Sequence, residues 1–308
     1  MIPATPEPTP SQPVPAPVAG EMRLALRGVR GSSRFAISGG AVYVYGTVKP
    51  FVADQSVRVV FSHAGHVEGA RTVKLGRSGE AGRFRVKAPT HGRGGMTVSA
   101  THAATSTMAA FAAKPTQFQL LSPNLSEGAR GPAVWLLQRR LSHLHYAVPL
   151  SGVYEAGTAN AVVAYRKMTG LALTYGTGAG VFRRLESGAG TFHVRYPREG
   201  RHVEANLSKQ VLAEIEPHGK VHLIYTTSSG KPSTPTVLGR YQVYLKTPGV
   251  NSEDMVDSNY FIRGYAIHGY PEVPTYAASH GCLRVPIEDA AAIYSWVQLG
   301  TIVDVYYE

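Results

Sequence analysis

Between residues 22 and 113 apolar and polar positions alternate in short runs, among them Val42-Tyr43-Val44-Tyr45, Val57-Arg58-Val59-Val60-Phe61, Arg83-Phe84-Arg85-Val86 and Met96-Thr97-Val98-Ser99-Ala100, with Gly-rich gaps between them. A period of two marks strands with one face buried, and short strands at this spacing predict an immunoglobulin-like β-sandwich. The period changes over 122–189. Val134, Leu137, Leu141 and Leu144 recur at helical spacing behind Pro132, and Ala161, Val162, Tyr165 and Met168 line one face of a second helix. From 191 onward the alternation returns, in Phe192 to Tyr196 and in Val211 to Glu216, which Pro217-His218-Gly219-Lys220 turns into Val221 to Tyr225 as a hairpin. Further strands are expected over 239–245 and 301–307, and one helix from Glu288 to Trp296. The expected fold class is mainly β and multidomain: a β-sandwich at 22–113, a small three-helix domain at 122–189, and a mostly antiparallel β domain at 191–308 joined by short linkers.

Length agrees, because 308 residues exceed one ordinary core. Residues 1–21 differ in kind. Pro3, Pro6, Pro8, Pro10, Pro13, Pro15 and Pro17 make an extended spacer that does not pack. Such spacers follow export signals or membrane anchors, and the expectation is an exported protein whose native signal precedes this spacer. No run of 18 or more apolar residues is present.

The net charge of +11 is uneven: residues 1–121 carry +9, 122–190 carry +4 and 191–308 carry −2. A basic front end fits an anionic polymer. Its Lys and Arg residues are scattered singly along strands with no nucleic-acid module, so nucleic acid is not an expected partner.

Cys282 is the single cysteine, which excludes a disulfide framework. It lies in Ser279-His280-Gly281-Cys282-Leu283-Arg284, shortly after Ile267-His268-Gly269. Three readings of these residues compete. Cys282 is a nucleophile whose proton passes to an imidazole, giving a thiolate–imidazolium pair, with the amide N–H groups of Gly281 and Cys282 facing an oxyanion. Alternatively it is a buried, inert thiol, or it shares a metal with His268 and His280, though a fourth ligand is lacking.

The 122–189 segment resembles three-helix peptidoglycan-binding domains. Gly131, Val134, Leu137, Gln138, Leu141, Gly152, Tyr154, Thr158, Ala161 and Val162 match that pattern, while its usual Phe-Gln is Tyr165-Arg166 here. The resemblance also implies a short third helix around Val181 to Leu185. The cluster around Cys282 resembles the L,D-transpeptidase catalytic domain of the YkuD type, in Ile267-His268-Gly269, in Ser279 to Arg284, and upstream in Tyr225 to Gly230 and Thr234-Pro235 to Gly239, with Thr236-Val237-Leu238 intervening. The resemblance implies an enzyme that forms a Cys282 thioester with a peptidoglycan stem peptide and cross-links third residues, or an L,D-carboxypeptidase in which water resolves the thioester; the remaining alternative is a noncatalytic wall-binding protein with a dead site. It implies His268 as general base with its tautomer fixed by a backbone carbonyl, and Gly281, His280 and Ser279 as residues that shape the site. Arg284 is expected chiefly to hold the loop, Gly269 to lie beside the substrate, and Tyr260 to line the donor groove or pack as an ordinary strand residue. No cofactor is expected, the partners are peptidoglycan stems and glycan, and carbapenem-type inhibitors are expected to acylate Cys282.

Overall fold

The computed structural model describes residues 16–308. The prolines expected to form the spacer up to Pro15 lie outside the described residues. Val18 is already paired, its N–H donating to Thr107 O.

Two compact units are formed, one by residues 16–36 together with 41–120, the other by 37–40 and 121–308. The first unit contains β1 (Glu21–Arg27), β2 (Phe35–Ile37), β3 (Tyr43–Lys49), β4 (Ser56–His63), β5 (His66–Lys74), β6 (Gly76–Ser78), β7 (Ala81–Lys87), β8 (Gly94–His102), β9 (Phe111–Ala112) and β10 (Thr116–Leu121). One sheet runs β1-β3-β7-β6. The second runs β2-β10-β8-β4-β5, with β9 added to β8. The alternation explains the arrangement. Val44 and Val48 from the first sheet and Val57, Val59, Phe61, Met96 and Val98 from the second share one core, while the intervening Arg58, Arg83 and Arg85 remain outside.

The second unit begins with three helices, α1 (Pro132–His143), α2 (Ala156–Thr169) and α3 (Ala179–Glu186). Pro132 occupies the first turn of α1, where a missing N–H costs no bond, and Gly170 ends α2 in the left-handed region at φ +64°. The strands of this unit follow: β11 (His202–Asn206), β12 (Val211–Glu216), β13 (Lys220–Thr226), β14 (Gly239–Gln242), β15 (Leu245–Val250), β16 (Val256–Ile262), β17 (Tyr265–Tyr270) and β18 (Leu283–Pro286), then α4 (Ile287–Trp296) and β19 (Ile302–Tyr306). They make two sheets, ordered β13-β12-β11-β19-β14 and β15-β16-β17-β18. The pairs β11–β19 and β17–β18 are parallel and the others antiparallel. Among the described residues no helix is long and apolar enough to cross a membrane.

Strand periodicity lets β12 serve two cores at once. Val211, Ala213 and Ile215 pack with Val134, Leu137, Leu141, Val162 and Tyr165 of the helices. Leu212, on the opposite face, packs with Ile267, Leu283, Ile293 and Val303. The helices and the sheets therefore share a layer. Residues beside α1 extend it, since Ile224 N–H donates to His145 O at 2.8 Å and Ala147 N–H to Ile224 O at 3.0 Å. Lys167 of α2 fastens the far end: its Nζ, buried, donates to Gln210 O, Thr226 Oγ1 and Thr227 O at 3.0, 2.7 and 2.8 Å.

Two expected strands differ. Phe192 to Tyr196 is not a strand, because the buried Glu204 carboxylate takes the amide hydrogens that a ladder would use: Arg195 N–H and Tyr196 N–H donate to it at 2.9 and 2.8 Å. The expected strand over 239–245 is broken at Val243, whose N–H donates to Thr301 O, so that β14 joins β19 in one sheet and β15 joins β16 in the other.

Candidate active site

The parallel pairing of β17 with β18 builds the site. Ile267 lies opposite Leu283 and His268 opposite Arg284. Ile267 and Leu283 face the core, so pleating turns His268, Arg284 and Cys282, one residue before β18, to the other side. There they line a cavity of about 270 Å³ together with Ser279, His280, Tyr270, Glu253 and Met255.

His268 is only 3% exposed. Its Nδ1 is 2.9 Å from Gly269 O, and a carbonyl can only accept, so Nδ1 carries the hydrogen and Nε2 keeps a free lone pair. Burial is the main reason its pKa falls to about 4, opposed by the Gly269 bond and assisted by the positive Arg284. The imidazole is neutral at ordinary pH. The half-buried Cys282 thiol is 3.6 Å from Gly264 O, and burial foremost pushes it above its ordinary value, with Glu253 adding to the rise and Arg284 and the Ala266 backbone opposing it. The resting pair is therefore thiol and neutral imidazole. The walls desolvate both charged forms, thiolate and imidazolium alike, and so disfavour them in the resting site.

The loop ahead of Cys282 is fixed by Ser279. Its hydroxyl donates to Cys282 O at 2.6 Å and accepts from Gly281 N–H at 3.0 Å. The expected oxyanion role of Gly281 N–H is corrected accordingly: that hydrogen is taken inside the turn. Gly281 has φ +123° and lies so close to Tyr265 that an added Cβ would fall 2.0 Å from the ring, so glycine is required for both conformation and space. Further bonds pin this loop to the chain after β13. Ser228 exchanges backbone bonds with Arg284, Lys231 N–H and Thr234 Oγ1 donate to Ser279 O, and Thr236 Oγ1 accepts from Gly230 N–H. The longer Thr234 to Gly239 turn thus closes onto the active-site loop.

Each remaining expected residue has a definite place. His280 is exposed, with Nε2 3.4 Å from Lys231 Nζ. The Arg284 guanidinium stacks over the Tyr270 ring at 3.9 Å, and Tyr270 meets His268 edge-on at 5.7 Å. Gly269 is buried on the side away from the cleft, where an added Cβ would meet Ala290 of α4 at 2.7 Å; the expectation that it borders substrate is corrected, since it lets β17 approach the helix. Tyr260 lies opposite Ala266 with its hydroxyl 3.4 Å from Asn251 Nδ2, and it is absent from the cavity lining. Glu253 and Met255 were missed by the sequence reading. The signal was Asn251, whose Oδ1 accepts from Glu253 N–H and Met255 N–H, folding the β15–β16 connection into a compact turn over the cleft.

The cluster of three potential metal ligands among the described residues, Glu199, His202 and Asp304, does not line this cavity and already holds Arg240 between its carboxylates.

Comparison with known proteins agrees with this geometry. Residues 200–305 match the L,D-transpeptidase catalytic domain family, YkuD. No curated protein matches the chain. The crystal structure of an L,D-transpeptidase from Xylanimonas cellulosilytica is similar at 32% identity and a TM-score of 0.56, covering 60% of this chain and 98% of that one. An L,D-transpeptidase from Enterococcus faecium is similar at 27% identity and TM-score 0.32, over 35% of this chain and 50% of that one. One from Mycobacterium tuberculosis matches at 23% identity and TM-score 0.32, over 35% and 57%. With a relative this similar matched over nearly its whole length, and the family's catalytic domain spanning β11 to β19, the chain belongs to the L,D-transpeptidases.

Proposed function

We propose that the protein cross-links peptidoglycan through a thioester on Cys282, joining the third residues of two stem peptides. The observation that carries the reading is the β17–β18 register, which puts His268 and Cys282 on one wall of the cavity with His268 Nδ1 tied to Gly269 O. Nε2 is then the atom available to the thiol proton.

In the first half, Cys282 Sγ bonds to the carbonyl carbon of the donor's third residue as its proton passes to His268 Nε2. The carbon–nitrogen bond to the terminal D-alanine breaks, and the imidazolium returns that proton to the departing amine. In the second half, the side-chain amine of another stem attacks the thioester carbon, gives a proton to Nε2, and releases the thiol. Because both resting groups are neutral, proton transfer accompanies carbon–sulfur bond formation and does not precede it. The Cys282 N–H at the head of β18 serves as an oxyanion donor. The energy of the donor amide is retained in the thioester, so no cofactor is required, and a carbapenem-type β-lactam acylates the same sulfur.

The protein acts on the wall side of the membrane as an exported enzyme, the helices at 122–189 hold it to peptidoglycan, and the immunoglobulin-like module serves as spacer or adhesion domain. The test is incubation with disaccharide-tetrapeptide muropeptides and mass analysis of products. Amide-linked dimers that have lost one D-alanine are expected. Tripeptides alone identify an L,D-carboxypeptidase, and unchanged substrate overturns the reading.

A further inference from the structure

A second cavity of about 260 Å³ is lined jointly by residues of the helical segment and of the catalytic sheets. Asn160 of α2 and Tyr175, in the loop after it, line one side; Tyr270, Pro271, Ile287 and Glu288 line the other. Tyr270 borders both cavities, so the two share that ring as a common wall. Asn160 Nδ2 donates to Glu288 Oε1 at 2.6 Å, an exposed polar pair in the lining that joins α2 to α4. Tyr175 is 51% exposed and Ile287 44%, which leaves an aromatic and an aliphatic surface open to a ligand.

The chemistry of this lining selects its occupant. Neither Lys nor Arg is among the lining residues and Glu288 is the one ionisable acid, so carboxylates and phosphates are disfavoured. Aromatic faces with a neighbouring amide and carboxylate suit a ring that has apolar C–H faces and hydroxyl or amide edges. We infer that this groove binds the neutral N-acetylated glycan of the donor strand, one sugar ring against Tyr175 and Tyr270, so that the strand's own stem peptide enters the adjoining cavity at Cys282. The inference rests on the proposed function for its catalytic meaning, whereas the binding itself does not.

Binding is tested with the disaccharide of N-acetylglucosamine and N-acetylmuramic acid, its lactyl carboxyl capped as the simple amide to keep it neutral, titrated into the Cys282→Ala protein and followed by calorimetry and amide chemical shifts. Saturable binding with shifts at Asn160, Tyr175 and Tyr270 is expected. Tyr175→Ala should weaken it about five- to tenfold, the size of one lost stacking contact. Asn160→Ala, which removes the amide from the lining without touching an aromatic ring, should weaken it as well. In the active enzyme, Tyr175→Ala should lower the ratio of turnover on disaccharide-tetrapeptide to turnover on free tetrapeptide by the same factor. No disaccharide binding, or binding untouched by both variants, overturns the inference, as does saturation of the groove by free tetrapeptide. If the protein binds the disaccharide as described but turns over neither substrate, the catalytic reading fails and the sugar site stands.

Discussion

At the scale of single residues, the site works by desolvation balanced against fixed hydrogen bonds. His268 must be unprotonated to accept the thiol proton. Its pKa lies near 4 in the free enzyme, so Cys282 acylation should stay level from neutral pH downward and fall only as pH drops through about 4. A pH profile of acylation by a carbapenem checks this, and an acid limb near the ordinary histidine value of about 6.5 would contradict it. Glu253 raises the thiol pKa from the rim. Glu253→Gln should therefore lower it and speed alkylation by iodoacetamide at fixed pH, whereas an unchanged or slower rate would oppose the assignment. Gly281→Ala combines a forbidden φ with a collision on Tyr265 and should cost at least about 1–3 kcal/mol, read in denaturant melts.

At the scale of elements, buried polar groups decide how strands and helices join. Gln138 of α1 is fully buried; its Nε2 donates to Val153 O and Thr158 Oγ1, both at 2.9 Å, and its Oε1 accepts from Gly152 N–H at 2.8 Å. Gln138→Leu should destabilise the protein by about 2–4 kcal/mol, since it orphans several groups at once, and a melt within error of wild type would sink that account. Glu214 of β12 faces the catalytic core with one oxygen accepting from Tyr225 and the other without a partner among the described residues. Burial foremost raises its pKa to about 8. The folded state keeps this proton while the unfolded chain has lost it above about 4.5, so the group's contribution to stability is complete at low pH and is lost as pH rises towards 8. Glu214→Gln should reduce the fall in Tm between pH 5 and 8; an identical slope would contradict the sign.

Much of this local structure was legible in the sequence. The first two helices appear where Val134, Leu137, Leu141 and Ala161, Val162, Tyr165 repeat, because a periodic apolar face states its own secondary structure. The hairpin at Pro217 to Lys220 was readable for the same reason. The exceptions share a cause. Phe192 to Tyr196 alternates like a strand, but Glu204 takes its amide hydrogens; 239–245 reads as one strand, but the chain changes sheets at Val243. Both depend on partners far away in sequence, about which periodicity is silent. The site shows the same division. Ser279 to Arg284 is contiguous and declares its chemistry, whereas Glu253, Met255 and the second cavity depend on how β15–β16 and α2 are brought to β17.

At the scale of the whole molecule, the unit holding 121–308 is organised around β12 and β13, with helices on one face and the catalytic core on the other. Lys167, reaching from α2 to three acceptors on the sheet, ties the two together. The cavity at Cys282 thus shares Tyr270 with a second cavity lined in part by α2. The central claim is that Cys282 carries the acyl group and His268 moves its proton. It is tested most directly by the intact mass of the protein after incubation with a carbapenem, compared with Cys282→Ala and His268→Ala. The account predicts a single drug-sized adduct on the wild type that maps to Cys282, none on Cys282→Ala, and formation slowed roughly 10²–10⁴-fold in His268→Ala. An adduct that persists in Cys282→Ala, or one that forms at the wild-type rate without His268, would contradict it.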